Sequence, residues 1–254
     1  MKIRVLGSYG SRLPGFFTSC LLLNDNLLLD AGTVTSSLSL AEQAAVTDVL
    51  LTHAHLDHMV DLAFLVDNVL TLQSQPLRVW APAPVLQTLR DHLFNDQVWP
   101  DFTRLPTAEA PALKFCALVE GESVEIAGLE IDWARTCHPV YTAGYCLSDA
   151  QGSVLFSGDT SGTEQIWTLG RRCANLKAAF IETSFPNRLQ KLADASGHLT
   201  PSMLCRELAK FDRSEVPVKI FHIKPQFLEE VVMELEALGE QRLEVLHGGE
   251  TFRF

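Results

Sequence analysis

The segment Thr52-His53-Ala54-His55-Leu56-Asp57-His58 sets three imidazoles and a carboxylate within six residues, directly after the strand-like run Val46–Leu51. Neutral imidazole and carboxylate are the donors that a borderline divalent ion such as zinc prefers, and a short loop leaving a strand can aim alternate side chains at two neighbouring points. The cluster predicts a metal site for one ion or two. A polar turn carrying surface histidines is the weaker reading, because so dense a cluster rarely lacks a ligand role.

A chain of 254 residues can bury a full core, and α/β or all-β architectures of this length often form one domain, so a single domain over 1–254 is expected. With 47% hydrophobic and 20% charged residues the composition is that of a globular protein, and no apolar run approaches the ~18 residues of a membrane span. The N-terminus, Met1-Lys2-Ile3-Arg4-Val5-Leu6-Gly7, alternates like a strand and lacks the apolar stretch of a signal peptide, which makes the cytoplasm the expected compartment. Cys20, Cys116, Cys137, Cys146, Cys173 and Cys205 are scattered without paired spacing, which argues against a disulfide framework or a thiolate metal site. A net charge of −11 gives no general attraction for a polyanion, so a small anionic substrate drawn in by metal ions fits better than nucleic acid.

Strand-like runs recur at Ser19–Leu29, Val46–Leu51, Leu77–Ala81, Leu129–Thr136, Ser153–Phe156, Ala178–Ile181 and Val218–Phe221. Helical spacing links Met59, Leu62, Ala63, Val66, Val69 and Leu70, then Met203, Leu204, Leu208 and Phe211, then Phe227, Val231, Leu235 and Leu238. This mixture predicts a layered α/β fold. The stretch Gln73–Pro111, with six prolines, reads as a strand, a helix and a long excursion able to overhang a pocket. Ligand-type residues follow the strand ends: Leu51 leads to His53, Cys137 to His138, Phe156 to Asp159, Ile181 to Glu182 and Phe221 to His222. In layered α/β folds ligands collect beyond the carboxyl ends of strands.

Taken in order, His53-x-His55-x-Asp57-His58, His138, Ser157-Gly158-Asp159-Thr160 and His222 resemble the metal motifs of the metallo-β-lactamase superfamily, and Leu28-Leu29-Asp30-Ala31-Gly32-Thr33 is similar to its early strand-and-turn motif. The resemblance spans nearly the whole chain and implies a four-layer αβ/βα sandwich. It implies that His53, His55 and His138 hold one divalent ion, that Asp57, His58 and His222 hold a second, that Asp159 bridges them, and that Asp30 supports the metal loop. A carboxylate that bridges two ions lets them share a hydroxide formed near neutral pH, the natural nucleophile for hydrolysis. Zn2+ suits the donor set, with Mn2+ or Fe2+ also accommodated.

Phe180-Ile181-Glu182-Thr183-Ser184-Phe185-Pro186-Asn187, Gly197-His198-Leu199-Thr200-Pro201 and Phe221-His222-Ile223-Lys224-Pro225 resemble motifs of the class II cyclic-nucleotide phosphodiesterases, which act on cyclic AMP or cyclic GMP. The chain departs from them after His58, where Met59-Val60-Asp61 stands in place of a small residue, and it is shorter than the fungal members. Glu182 and His198 also resemble the glutamate–histidine pair of transfer-RNA 3′-processing endonucleases. These likenesses imply a small-molecule cyclic-nucleotide substrate, with Asp57, Asp159, His198 and Glu182 acting in catalysis. His198 would serve the phosphate or its leaving oxygen, with Glu182 as its orienter. A competing account makes His198 a neighbour of a helix cap, since Thr200-Pro201 reads as a helix start.

Other residues attract plainer readings. His92 falls on an exposed helix face, His247 precedes Gly248-Gly249 in what reads as a terminal hairpin, and Arg171-Arg172 reads as a solvated helix face. Lys224 can reach a phosphate or lie in solvent, and Phe16, Phe17 and Phe185 suit core packing better than base stacking. The alternatives are a transfer-RNA-type endonuclease, for which no basic arm is present, a thioester or lactone hydrolase, and a non-catalytic metal-binding sensor, which expects lost ligands. Many relatives of this kind form homodimers, although no stripe in the sequence marks one.

Overall fold

The computed structural model describes residues 1–254. Its first half runs β1 (Lys2–Gly7), β2 (Cys20–Leu23), β3 (Leu27–Leu29), α1 (Leu40–Ala45), β4 (Asp48–Leu50), α2 (Leu56–Val69), β5 (Leu77–Pro82), α3 (Ala83–His92) and β6 (Leu113–Leu118). The second half runs β7 (Val124–Ile126), β8 (Leu129–Arg135), β9 (Ala143–Asp149), β10 (Gly152–Phe156), α4 (Gln165–Arg172), β11 (Leu176–Glu182), α5 (Gln190–Ser196), α6 (Pro201–Leu208), β12 (Val218–Phe221), α7 (Leu228–Ala237), β13 (Leu243–Val245) and β14 (Thr251–Arg253). Two seven-stranded sheets result, ordered β14-β1-β2-β3-β4-β5-β6 and β13-β12-β11-β10-β9-β8-β7.

Alternation along the strands explains the layering. In β3, Leu27 and Leu29 point between the sheets and Leu28 outward; in β11, Ala178 and Phe180 point inward while Ala179 and Ile181 face the helices. Strands with both faces covered read as unbroken apolar runs. Leu29, Leu50, Phe156, Phe180 and Phe221 meet in the central layer, where the Phe156 and Phe221 rings stack at 4.5 Å. Helices α2 and α3 cover one outer face, α4, α6 and α7 the other, so the expected helix–sheet–sheet–helix sandwich is the observed one.

Several expectations need correction. The run Ser19–Leu29 is a hairpin, β2 and β3, whose turn takes Asn24 and Asp25 to φ 47° and 64°; short polar side chains tolerate that left-handed conformation. The terminal hairpin does not form: β13 pairs with β12 and β14 with β1, so the chain around Gly248-Gly249 crosses between the sheets. Cys146 on β9 and Cys173 after α4 form a disulfide across 27 positions, a pairing without a spacing signature. The excursion after α3 anchors in the core beneath α2, with Phe94 and Phe102 buried there and Trp99 edge-on to Phe64. No helix is long and apolar enough to cross a membrane.

Candidate metal centre

The parallel pairs β3–β4 and β10–β11–β12 release Asp30, His53, Asp159, Glu182 and His222 at or just past their carboxyl ends, and β8 runs the same way as β10 because each is antiparallel to β9. The strand ends of both sheets therefore face one point. Inter-sheet bonds hold that edge closed: the Ala143 N–H donates to Thr52 O (3.0 Å), the His222 N–H to Ser8 O (2.5 Å) and Tyr145 OH to Leu51 O (2.6 Å). Asp30 and His222 take φ 59° and 70°, left-handed positions that aim their side chains off the strand direction; backbone strain of this kind gathers at functional sites.

The donor atoms of His53, His55, His138 and Asp159 lie within 4.8 Å of one another, as do those of Asp57, His58 and His222. Asp159 faces both sets: its carboxylate is 3.6 Å from His53 Nε2 and 4.0 Å from His138 Nε2, and 3.4 Å from His58 Nε2 and 3.3 Å from His222 Nε2. Asp57 Oδ2 lies 3.3 Å from His222 Nε2, and His55 Nδ1 lies 3.3 Å from His138 Nε2. His55 occupies the N-cap position of α2 without a side-chain capping bond, which leaves its ring free for the cluster and places Asp57 and His58 in the first turn, where a helix favours a carboxylate.

Four rings are anchored through Nδ1. His58 donates to Asp30 Oδ2 (2.7 Å), His138 to Gly197 O (2.9 Å), His222 to Ser184 Oγ (2.9 Å), and His53 to Thr52 Oγ1 (2.9 Å), whose own hydroxyl turns to Asp30. Such acceptors hold the Nδ1 proton in place and turn each Nε2 inward. Sequence reasoning gave Thr52 and Ser184 no role; adjacency to His53 and Glu182 was the sole signal. Asp61, where the chain departs from the phosphodiesterase pattern, is buried and accepts from Val34 N, Thr35 N and Thr35 Oγ1, pinning the turn that follows Asp30.

Burial lowers the pKa of His53, His55, His138 and His222. For His58 burial works the same way, but the carboxylates of Asp159, Asp30 and Asp57 outweigh it and raise the pKa well above the usual value. Burial of Asp159 is likewise outweighed by the surrounding histidines, so it stays ionised. His53 Nε2 and Asp159 Oδ1 are buried without any hydrogen-bond partner. Unpaired buried polar atoms are costly, and inward lone pairs around an ionised carboxylate are what a divalent cation satisfies. The donor set fits metal.

His198 joins the same point from the second sheet's side. It is buried, its Nδ1 donates to Glu182 Oε1 at 2.8 Å, and its donor atom lies within 4.8 Å of those of Asp159 and His222. Glu182 also accepts from Thr160 N and Ser184 Oγ. Burial disfavours protonation of His198, but the Glu182 carboxylate more than offsets it and raises the pKa. Thr200 does cap α6, accepting from Met203 N. Capping and the His198–Glu182 contact coexist. His92 is exposed, Arg171 and Arg172 are exposed, Phe185 is buried edge-on to His198, and Lys224 is half-buried beside Asp57.

Residues 25–247 match the family described as the beta-lactamase superfamily domain, and the chain belongs to that family. It is a hydrolase with the metallo-β-lactamase fold and a His/Asp cluster capable of holding metal. It is 27% identical to a probable 3′,5′-cyclic-nucleotide phosphodiesterase of Yersinia pestis, covering 89% of this chain and 79% of that protein. It is 24% identical to 3′,5′-cyclic-nucleotide phosphodiesterase 1 of Saccharomyces cerevisiae, covering 81% of this chain and 67% of that one. The crystal structure of unliganded yeast PDE1 superposes with a TM-score of 0.82 at 19% identity, covering 98% of each chain.

Proposed function

We propose that this hydrolase is a metal-dependent phosphodiesterase that converts 3′,5′-cyclic nucleotides to 5′-nucleotides. The observation that carries the reading is the position of His198: a histidine oriented by a buried carboxylate, with its donor atom within 4.8 Å of those of Asp159 and His222. Two relatives named as cyclic-nucleotide phosphodiesterases support the choice of substrate.

In this reading His53, His55 and His138 would hold one ion, Asp57, His58 and His222 would hold a second, and Asp159, which faces both sets, would serve them together; zinc suits the set, and manganese or iron is accepted by the same donors. When bound, such ions supply Lewis-acid polarisation of the phosphate and an acidified water as nucleophile. The chain's own residues do the rest. Asp30, Thr52, Ser184 and Gly197 O fix the ring tautomers, and the Glu182 carboxylate keeps a second proton on His198, available at Nε2 for the departing 3′ oxygen. The residues 1–254 act as one unit, because both sheets contribute ligands. The net charge of −11 disfavours a transfer-RNA substrate served by the same geometry.

The test is a hydrolysis panel of cyclic AMP, cyclic GMP, bis(p-nitrophenyl) phosphate, a thioester and precursor transfer RNA, run alongside metal analysis. Cleavage of a cyclic nucleotide is the expected result. Thioester turnover without phosphodiester cleavage would sink the reading.

A further inference from the structure

Lys224 is the one lysine or arginine whose charged group lies within 4 Å of an acidic residue of the cluster. Its Nζ stands 3.8 Å from Asp57 Oδ2, and no other Lys or Arg pairs with Asp30, Asp57, Asp159 or Glu182. Its backbone is pinned: the N–H donates to Ser184 O at 3.1 Å and the carbonyl accepts from Phe227 N at 2.9 Å. The side chain is anchored too, since Nζ donates to the carbonyl of Gly10. Gly10 in turn lies so close to His222 that an added Cβ would meet its carbonyl oxygen at 2.5 Å.

An ammonium carries three donors. One goes to Gly10, and Asp57 lies beyond hydrogen-bond distance, so donors remain for a ligand at the cluster's edge. The side chain is 18% exposed, neither sealed in the core nor free in solvent.

We infer that Lys224 is a substrate-binding residue, its ammonium taking a non-bridging oxygen of a phosphoryl group while Gly10 O holds it in place. The inference rests on the phosphodiester reading and deepens it: this cation selects an anionic phosphoryl centre over a neutral ester or thioester. A charge-assisted hydrogen bond of this kind is stronger than a neutral one.

The experiment uses metal-loaded wild type, Lys224→Met and Lys224→Arg, with kcat and KM for bis(p-nitrophenyl) phosphate, competitive inhibition by inorganic phosphate, and bound metal as readouts. For Lys224→Met, kcat/KM should fall about 10- to 100-fold, mostly through KM. Phosphate inhibition should weaken in step, metal content should hold, and Lys224→Arg should recover part of the loss. Unchanged kcat/KM and phosphate inhibition in Lys224→Met would overturn the inference. So would a loss of activity that tracks loss of metal, since Lys224 would then only hold Gly10 against His222. Wild type that cleaves neither bis(p-nitrophenyl) phosphate nor cyclic AMP would instead overturn the phosphodiester reading, and the inference with it.

Discussion

Nδ1 of His58 donates to Oδ2 of Asp30 across 2.7 Å, with both side chains fully shielded from solvent. Asp30 sits at φ 59° after β3 and also accepts from the backbone and hydroxyl of Thr52, so one carboxylate orients His58 directly and His53 through Thr52. Asp30→Ala should therefore weaken metal binding although it removes no ligand. Outer partners of ligating histidines typically contribute about 10–100-fold in affinity. Competition with a chromogenic chelator measures this; wild-type affinity in the variant would disprove the role.

The Asp159 carboxylate lies within 4.0 Å of histidines of both donor sets, and one of its oxygens is buried without a partner. Asp159→Ala should abolish turnover and reduce bound metal, whereas replacement of any one histidine should spare part of the other set. Elemental analysis of the purified variant decides the point. Full metal content and full turnover would remove Asp159 from its sharing role.

His198→Ala should keep its metal yet slow by about 10²–10⁴-fold, the usual scale for a lost general acid. Glu182→Gln gives a second, directional test. Burial alone disfavours the charged imidazole and Glu182 reverses that, so the acid form persists to higher pH than it otherwise would. Removing the carboxylate lowers the pKa of His198, and the alkaline fall of kcat should begin at a lower pH than in wild type. A pH–rate profile with an unmoved alkaline limb would exclude His198 as the acid.

Two of the glycines that crowd the ligands, Gly10 and Gly32, make a steric prediction. A Cβ on Gly10 would meet the His222 carbonyl at 2.5 Å and its ring Nδ1 at 2.6 Å, and one on Gly32 would collide with the carbonyl of Asp57. Neither position needs a left-handed backbone, so the obstacle is contact alone. Gly10→Ala and Gly32→Ala should each cost about 1–3 kcal/mol, the range for overpacking, and shift the ligand beside them. Thermal denaturation together with metal titration reads both effects. Wild-type values in both assays would show that the neighbouring chain yields freely.

What the sequence made legible was whatever depends on short range. The run into His53 and the 3.6-residue spacing from Met59 to Leu70 correspond to β4 and α2, and ligand-type residues at strand ends led to the point where the two sheets meet. Contacts between distant segments left no local trace. The close approach of Gly10 to His222, the Cys146–Cys173 pairing and the separation of β13 from β14 all depend on how the sheets pack. The β2–β3 turn was a different failure. Asn24-Asp25-Asn26 is a turn signal, but the leucines on either side masked it within one apolar run.

Removal of metal should destabilise the folded chain as well as silence it. Without an ion, His53 Nε2 and Asp159 Oδ1 stay buried and unpartnered, and a ligand that binds only the folded state adds stability by mass action, about 2.7 kcal/mol at a hundredfold excess over Kd. For a chain of 254 residues, where one kcal/mol corresponds to roughly 2–4 °C, that stabilisation amounts to about 5–10 °C in Tm. Calorimetry of chelator-treated protein, before and after zinc is restored, should show the drop and its recovery in parallel with turnover. Identical Tm and turnover in both states would mean that the buried cluster does not hold a functional ion.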